Sequence, residues 1–256
     1  MRAVKLWLRR HLPVAWYHRL KYRGLAPKAD ALVGHTVLSG PFQGMRYAPS
    51  RAFNGHYGML LGVYEHTVQT ALAELHLPER PTLAIVGAAE GYYAVGMALR
   101  YPTSRVLAYE LESWIHPTLR ALAQANGVAD RVVVRGAATP EGLAADFSAD
   151  APHFVFFDVE GAEASLADPM AIPQLGQATV LIELHPFVVP GIEATLRARF
   201  ERTHTCHVLD ERTPTWAEIR ALLPTDLQAQ AGPWVTQLLD ENRVEPMRWL
   251  LFQPQP

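Results

Sequence analysis

The chain has little cysteine and little lysine. One of its 256 residues is a cysteine, Cys206, so no internal disulfide can form, and the chain fits a reducing, cytoplasmic compartment. Its lysines, Lys5, Lys21 and Lys28, all lie near the start. The rest of the chain cannot build a Gly-Lys-Ser/Thr phosphate loop or offer a Schiff-base lysine to pyridoxal phosphate. Gly-x-Ser-x-Gly is missing, which argues against an α/β-hydrolase elbow, and His-Glu-x-x-His is missing as well. No apolar run approaches the ~20 residues of a membrane span. The opening "MRAVKLWLRRHLPVAW" is interrupted by Arg9 and Arg10, unlike a secretion signal. Internal repeats and low-complexity segments are also missing.

What is present is unevenly charged. Residues 1–28 hold eight basic side chains and no acidic one, while the remainder carries 15 basic against 25 acidic residues. So acidic a body is a poor partner for nucleic acid. Leu6, Trp7, Leu8, Leu12, Val14, Trp16 and Tyr17 are interleaved with the basic residues. That pattern suits either peripheral contact with an anionic membrane or packing on the core or on a second subunit. Arginine outnumbers lysine 20 to 3, which points to a GC-rich, bacterial genome.

Residues 1–36 read as a basic helical arm. "HTVLSGPFQGMRYAPS", His35–Ser50, alternates around two glycines as a short hairpin. A helix is expected over Tyr64–Leu77, ahead of Pro78. Strands are expected at Thr82–Val86, Arg105–Glu110, Arg131–Arg135, Phe154–Asp158, Thr179–His185, Thr203–Leu209 and Met247–Phe252. Helices are expected at Tyr92–Arg100, Trp114–Asn126 and Ile192–Phe200. Alternation of this kind predicts an α/β, Rossmann-like, mostly parallel sheet with helices on both faces. Ligands of such sheets bind beyond the carboxyl ends of the strands.

The candidate chemistry gathers at those ends. After the first strand, Gly87-Ala88-Ala89-Glu90-Gly91 leaves a bare turn. It fails the Gly-x-Gly-x-x-Gly dinucleotide pattern at Ala89 and Tyr92. After the second strand, Glu110 can accept the hydroxyls of a ribose or serve as an ordinary acid at a helix start. After the fourth, "FFDVEGAEASL" crowds Asp158, Glu160 and Glu163 together. After the fifth, "LIELHP" adds Glu183 and His185 on one face. Carboxylates and a histidine so placed are costly to desolvate without a ligand.

"VGAAEGYYAVGMA", "VLAYELE", "FFDVEGAE" and "LIELHP", in this order and spacing, resemble the FkbM-type class of S-adenosylmethionine-dependent methyltransferases over roughly residues 64–187. The resemblance implies a seven-stranded methyltransferase sheet with the last strand antiparallel. It implies a methyltransferase domain over 79–256, preceded by a hairpin and lead-in helix over 37–78. It implies that Gly87, Ala88, Ala89 and Gly91 pass the methionyl part of the cofactor, that Glu110 holds its ribose, and that Leu111 and Ala137 border its adenine. One departure is Ile85, where the family has an acidic or polar residue; Glu90, or Glu65 from the preceding helix, would then anchor the loop or the cofactor amine. Glu90, Tyr92, Tyr93 and Asp158 are the candidates to face the positive sulfonium.

The expected function is O-methylation of a small molecule: a secondary metabolite, a sugar or a lipid-linked glycan. His185 is the candidate base, with Glu183 or Glu160 to orient it; the alternative is a histidine that only caps its strand. The spacing of Asp158, Glu183 and His185 permits a divalent cation without requiring one. "HTCH", His204–His207, reads as a core strand more readily than as a metal site. An insertion over 210–246 opens with a capping box at Thr215 and Glu218 and carries Trp216 and Trp234, as a packed decoration or a substrate lid. Two other functions compete: a cofactor-binding or scaffold protein impaired at Ile85, and a nicotinamide-dependent enzyme.

Overall fold

A computed structural model describes residue 22 and residues 24–47, 56–239 and 247–255. Most of the basic arm, with its expected membrane contact, and the end of the expected hairpin at 48–50 lie outside the described residues. No helix among those described is long and apolar enough to cross a membrane.

The chain divides into two compact units. The first joins the described part of 1–69 to 213–244, so the insertion belongs with the N-terminal segment. Helix Ala26–Val33 leads to a minimal hairpin, in which Thr36 and Arg46 form one antiparallel bridge. Helix His56–Leu61 follows, and the next helix spans His66–Glu74. That helix starts later than expected because Glu65 has a φ of 49°, a left-handed value no α-helical residue adopts. Within the insertion, Thr215 and Glu218 close a full capping box on helix Trp216–Leu222, and Pro233–Leu238 winds as a 3-10 helix. Among the described residues, the Tyr22 hydroxyl donates to the Leu238 carbonyl at 3.3 Å, and Lys28 Nζ lies 4.3 Å from the centre of the Trp234 ring.

The second unit, 70–212 with 245–256, is the sheet. Its strands are β1 (Thr82–Val86), β2 (Arg105–Tyr109), β3 (Val132–Arg135), β4 (Phe154–Phe157), β5 (Thr179–Glu183), β6 (His204–Asp210) and β7 (Arg248–Pro254). Their order is β3-β2-β1-β4-β5-β7-β6. β1 to β5 pair in parallel, and β7 runs antiparallel to both β5 and β6. This is the expected seven-stranded, mostly parallel, Rossmann-like sheet, with the last strand antiparallel. Apolar residues buried on both faces drive it: Leu83 to Val86, Val106 to Tyr109 and Phe154 to Phe157 are almost wholly covered. Phe200, from helix Ile192–Phe200, stacks on Phe252 of β7 with ring centres 4.5 Å apart.

Several element ends differ from expectation. β4 and β5 stop at Phe157 and Glu183, so Asp158 and His185 sit just past the carboxyl ends of their strands. The expected helix at Trp114 begins as a 3-10 turn, Ser113–Ile115, and becomes α-helical only over His116–Ala125. Pro117 accounts for this: proline fits the first turn of an α-helix but not its interior. A helix at Pro140–Ala149 was not foreseen. Its signal is present in Thr139-Pro140-Glu141: the Thr139 hydroxyl caps the Gly142 N–H at 3.0 Å, with proline and an acid in the first turn.

Candidate active site

The strand order reverses direction between β1 and β4, and the bare turn after β1 lies at that switch point. Gly87 has a φ of 89°, and a Cβ placed on it would lie 1.7 Å from the Asp158 carbonyl oxygen. Only glycine lets the β1 and β4 loops approach so closely. The turn is pinned from the β2 side, where the Tyr109 carbonyl accepts from the N–H groups of Gly87 and Ala88 at 3.0 and 2.8 Å. Gly91, at φ 102°, then opens helix Tyr92–Arg100.

Glu110 leans over this turn. One of its carboxylate oxygens accepts from the Ala89 N–H at 2.7 Å, the other from the Glu112 N–H at 2.8 Å. His116 Nε2 lies 2.9 Å from the Glu110 carbonyl. Beside Glu110, Leu111 and Trp114 are exposed over 73% and 71% of their surface, and Ala137, after β3, is exposed too. Tyr92 and Tyr93 are buried at the start of their helix, and Tyr93 packs on Phe156 with ring centres 4.4 Å apart. Glu90 is buried in the turn. Ile85 is fully buried between Ala108 and Phe156, so its side chain serves the core. Glu65 is buried in the first unit.

The second half of the site lies past β4 and β5. His185 is 2% exposed, and its Nδ1 is 2.7 Å from Glu163 Oε1. Glu163, itself 0% exposed, also accepts from the Val159 N–H at 3.3 Å, while its other oxygen has no hydrogen-bond partner. The opposite ring nitrogen of His185, Nε2, faces three carboxylates: Glu160 at 3.4 Å, Glu183 at 3.7 Å and Asp158 at 3.9 Å. The structure therefore brings Asp158, Glu160, Glu183 and His185 together, and gives the contact that orients the ring to Glu163. The sequence places Glu163 in the acidic run without assigning it that role. Helix Glu163–Leu166 is one short turn, and only the turned-back Glu160-Gly161 backbone, φ 52° and 108°, aims it at His185.

Electrostatics follow from this packing. Burial alone would lower the His185 pKa, but the Glu163 hydrogen bond and the charges of Glu183, Glu163 and Glu160 outweigh it and raise the pKa above the usual value. Burial alone would raise the Glu163 carboxyl, yet hydrogen bonds from His185 and the backbone hold it below the ordinary range. The cluster is thus built to keep positive charge beside it. By contrast, His204 is a core residue of β6: its Nε2 lies 2.9 Å from the Ala178 carbonyl and its Nδ1 2.8 Å from the Thr203 hydroxyl. Among the described residues, the group spaced to hold a metal ion is Asp158, Glu183 and His185; "HTCH" forms none.

Backbone strain falls on candidate residues in both units. The non-glycine residues with positive φ among those described are Glu65, Ala89 and Glu160, all of them candidate site residues from the sequence. Left-handed backbone costs an L-residue roughly 1–2 kcal/mol, and such strain clusters where function requires it. Phe156 and Trp249 were not singled out from the sequence. Trp249 pairs with Glu183 in the β5–β7 register, packs on Phe156 at 5.1 Å, and buries an indole N–H without a hydrogen-bond partner.

No protein-family model and no curated protein matches the chain. Solved structures that resemble it include precorrin-6y C5,15-methyltransferase from Geobacter metallireducens GS-15, 12% identical with a TM-score of 0.48, over 73% of this chain and 86% of that one. Methyltransferase FkbM from Methylobacillus flagellatus KT is 13% identical with a TM-score of 0.48, over 90% of this chain and 60% of that one. Cofactor-bound Rv0187 from MTB is 14% identical with a TM-score of 0.44, over 92% and 91%. The FkbM type is thus one of several kinds of neighbour. At this distance, function rests on the chain's own residues.

Proposed function

We propose that the protein is an S-adenosylmethionine-dependent methyltransferase that transfers the methyl group to an oxygen of a small-molecule acceptor. The observation that carries this reading is the Glu110 carboxylate at the end of β2, held over a lysine-free turn at the switch point. A carboxylate there suits two ribose hydroxyls, and the turn Gly87–Gly91 carries no lysine or arginine of its own. Exposed Leu111 and Trp114 supply apolar surface for an adenine, and Ala137 borders it. The methionyl part would lie along Gly87–Gly91, with the sulfonium near Asp158 and the faces of Tyr92 and Tyr93.

In the reaction, the acceptor oxygen attacks the methyl carbon in line as the sulfur–carbon bond breaks. S-adenosylhomocysteine leaves, and the acceptor proton passes into the cluster of Asp158, Glu160, Glu183 and His185. The protein's contribution is to align oxygen, carbon and sulfur and to accept that proton. A sugar, a lipid-linked glycan or a secondary metabolite with a free hydroxyl is the class of acceptor.

Titration calorimetry with S-adenosylmethionine and S-adenosylhomocysteine tests the reading. One cofactor should bind per chain. No binding of either at millimolar concentration refutes it. The buried, apolar Ile85 favours a second reading, a cofactor-binding protein without catalysis. Binding without methyl transfer to any hydroxyl acceptor in a panel would decide for that one.

A further inference from the structure

We infer that Asp158, Glu183 and His185 form a divalent-cation site of the kind manganese(II) fills, at the point where the acceptor oxygen enters. Three observations lead to it. First, one atom from each of the three side chains lies within 4.8 Å of the others. From His185 Nε2, Glu183 and Asp158 are 3.7 and 3.9 Å away. One ion with bonds of about 2.1 Å holds two donors about 3.0–4.2 Å apart, depending on the angle between them, so the two His185 contacts fall in range and the three side chains need only close in slightly around one ion.

Second, the imidazole is prepared as a ligand. The buried Glu163 takes Nδ1 at 2.7 Å, which fixes the ring's rotation and leaves Nε2 to face the carboxylates. Carboxylate, imidazole and metal in that sequence are the usual arrangement around metal-bound histidine. Third, Nε2 approaches Glu160, Glu183 and Asp158 at 3.4, 3.7 and 3.9 Å without closing a hydrogen bond to any of them. A charge-assisted hydrogen bond would close to about 2.7–2.9 Å. Separations of 3.4–3.9 Å are also those between two ligands of one ion with bonds of about 2.1 Å.

Two carboxylates and one imidazole suit manganese(II) better than magnesium, which prefers oxygen ligands alone and keeps its waters. With an ion present, His185 is a ligand, and the ion acidifies the acceptor hydroxyl in place of a base. That role rests on the methyl-transfer reading; the ion site itself rests only on the geometry.

The experiment uses the full chain, stripped with a chelator and titrated with manganese(II). Loss of the free-ion paramagnetic resonance signal reads binding, and nitrogen couplings in the bound spectrum read imidazole ligation. The expected result is one ion per chain with a nitrogen ligand. Asp158→Asn and Glu183→Gln should each weaken binding at least about tenfold, and Glu163→Gln, acting through the ring, about 10–100-fold. Circular dichroism melts confirm that each variant is folded. No binding up to millimolar manganese(II), or binding unchanged in the folded Asp158→Asn and Glu183→Gln proteins, overturns the inference. S-adenosylhomocysteine is titrated into the same metal-free protein. Cofactor binding without metal binding removes the ion site alone, and metal binding without cofactor binding removes the methyltransferase reading alone.

Discussion

Gly87→Ala tests the closure on which the site depends. The added Cβ would lie 1.7 Å from the Asp158 carbonyl oxygen, 2.7 Å from its carbonyl carbon and 3.4 Å from Val159 Cγ1. The two nearest atoms are backbone, so no rotamer change relieves the overlap. The φ of 89° adds left-handed strain. That strain costs about 1–2 kcal/mol and forced separation of packed backbone about 1–3 kcal/mol more. Together they remove a large share of the roughly 5–15 kcal/mol that holds a folded protein together. For 256 residues, each kcal/mol is about 2 °C of melting temperature, so a drop of about 4–10 °C is expected. Differential scanning calorimetry measures it, with S-adenosylhomocysteine titrated in parallel because the β1 and β4 loops must part. Two controls give the scale. Gly91→Ala meets a side-chain atom, Leu119 Cγ at 3.0 Å, which can move, so strain at φ 102° dominates. Gly136→Ala meets nothing within 4 Å and should stay within about 0.5 kcal/mol of the parent. If Gly87→Ala melts with Gly136→Ala, the close approach of the β1 and β4 loops is not holding the site.

Three further outcomes are expected. Glu110→Ala should weaken S-adenosylmethionine binding about 10–100-fold, since a hydrogen bond to a charged group contributes about 1.5–3 kcal/mol; an unchanged dissociation constant in calorimetry would reduce Glu110 to a clamp on Ala89. Burial lowers the His204 pKa, against the hydrogen bond to the Ala178 carbonyl, so the unfolded chain takes up a proton near pH 6.5, about the ordinary histidine value, before the folded chain does. His204 therefore contributes stability above that pH that is lost as pH falls toward its folded value; denaturant melts of His204→Gln should show a shallower loss on acidification, and identical slopes would refute the assignment. Thr215→Ala removes the hydroxyl that caps the Glu218 N–H at 3.3 Å and should cost about 1 kcal/mol, read by thermal melts, with Thr215→Ser restoring most of it.

By itself the sequence determined the sheet and which candidate residues stand at its carboxyl edge. Short runs such as Thr82–Val86 and Phe154–Phe157 are apolar on both faces, and only a strand covered on both sides buries them. Their chain order and the residues at their carboxyl ends place Gly87, Glu110, Asp158, Glu183 and His185 at one edge of the sheet. Where helices begin was less legible, because Pro117 and the left-handed Glu65 act on single residues within otherwise periodic stretches. Tertiary structure alone decided which group faces which. Glu163 reaches His185 because two positive-φ residues, Glu160 and Gly161, turn the chain back, and no periodicity records such a turn. Trp249 meets Glu183 because β7 inserts antiparallel between β5 and β6. That register joins residues 66 positions apart and is set by the fit of side chains across the sheet, which local sequence does not carry.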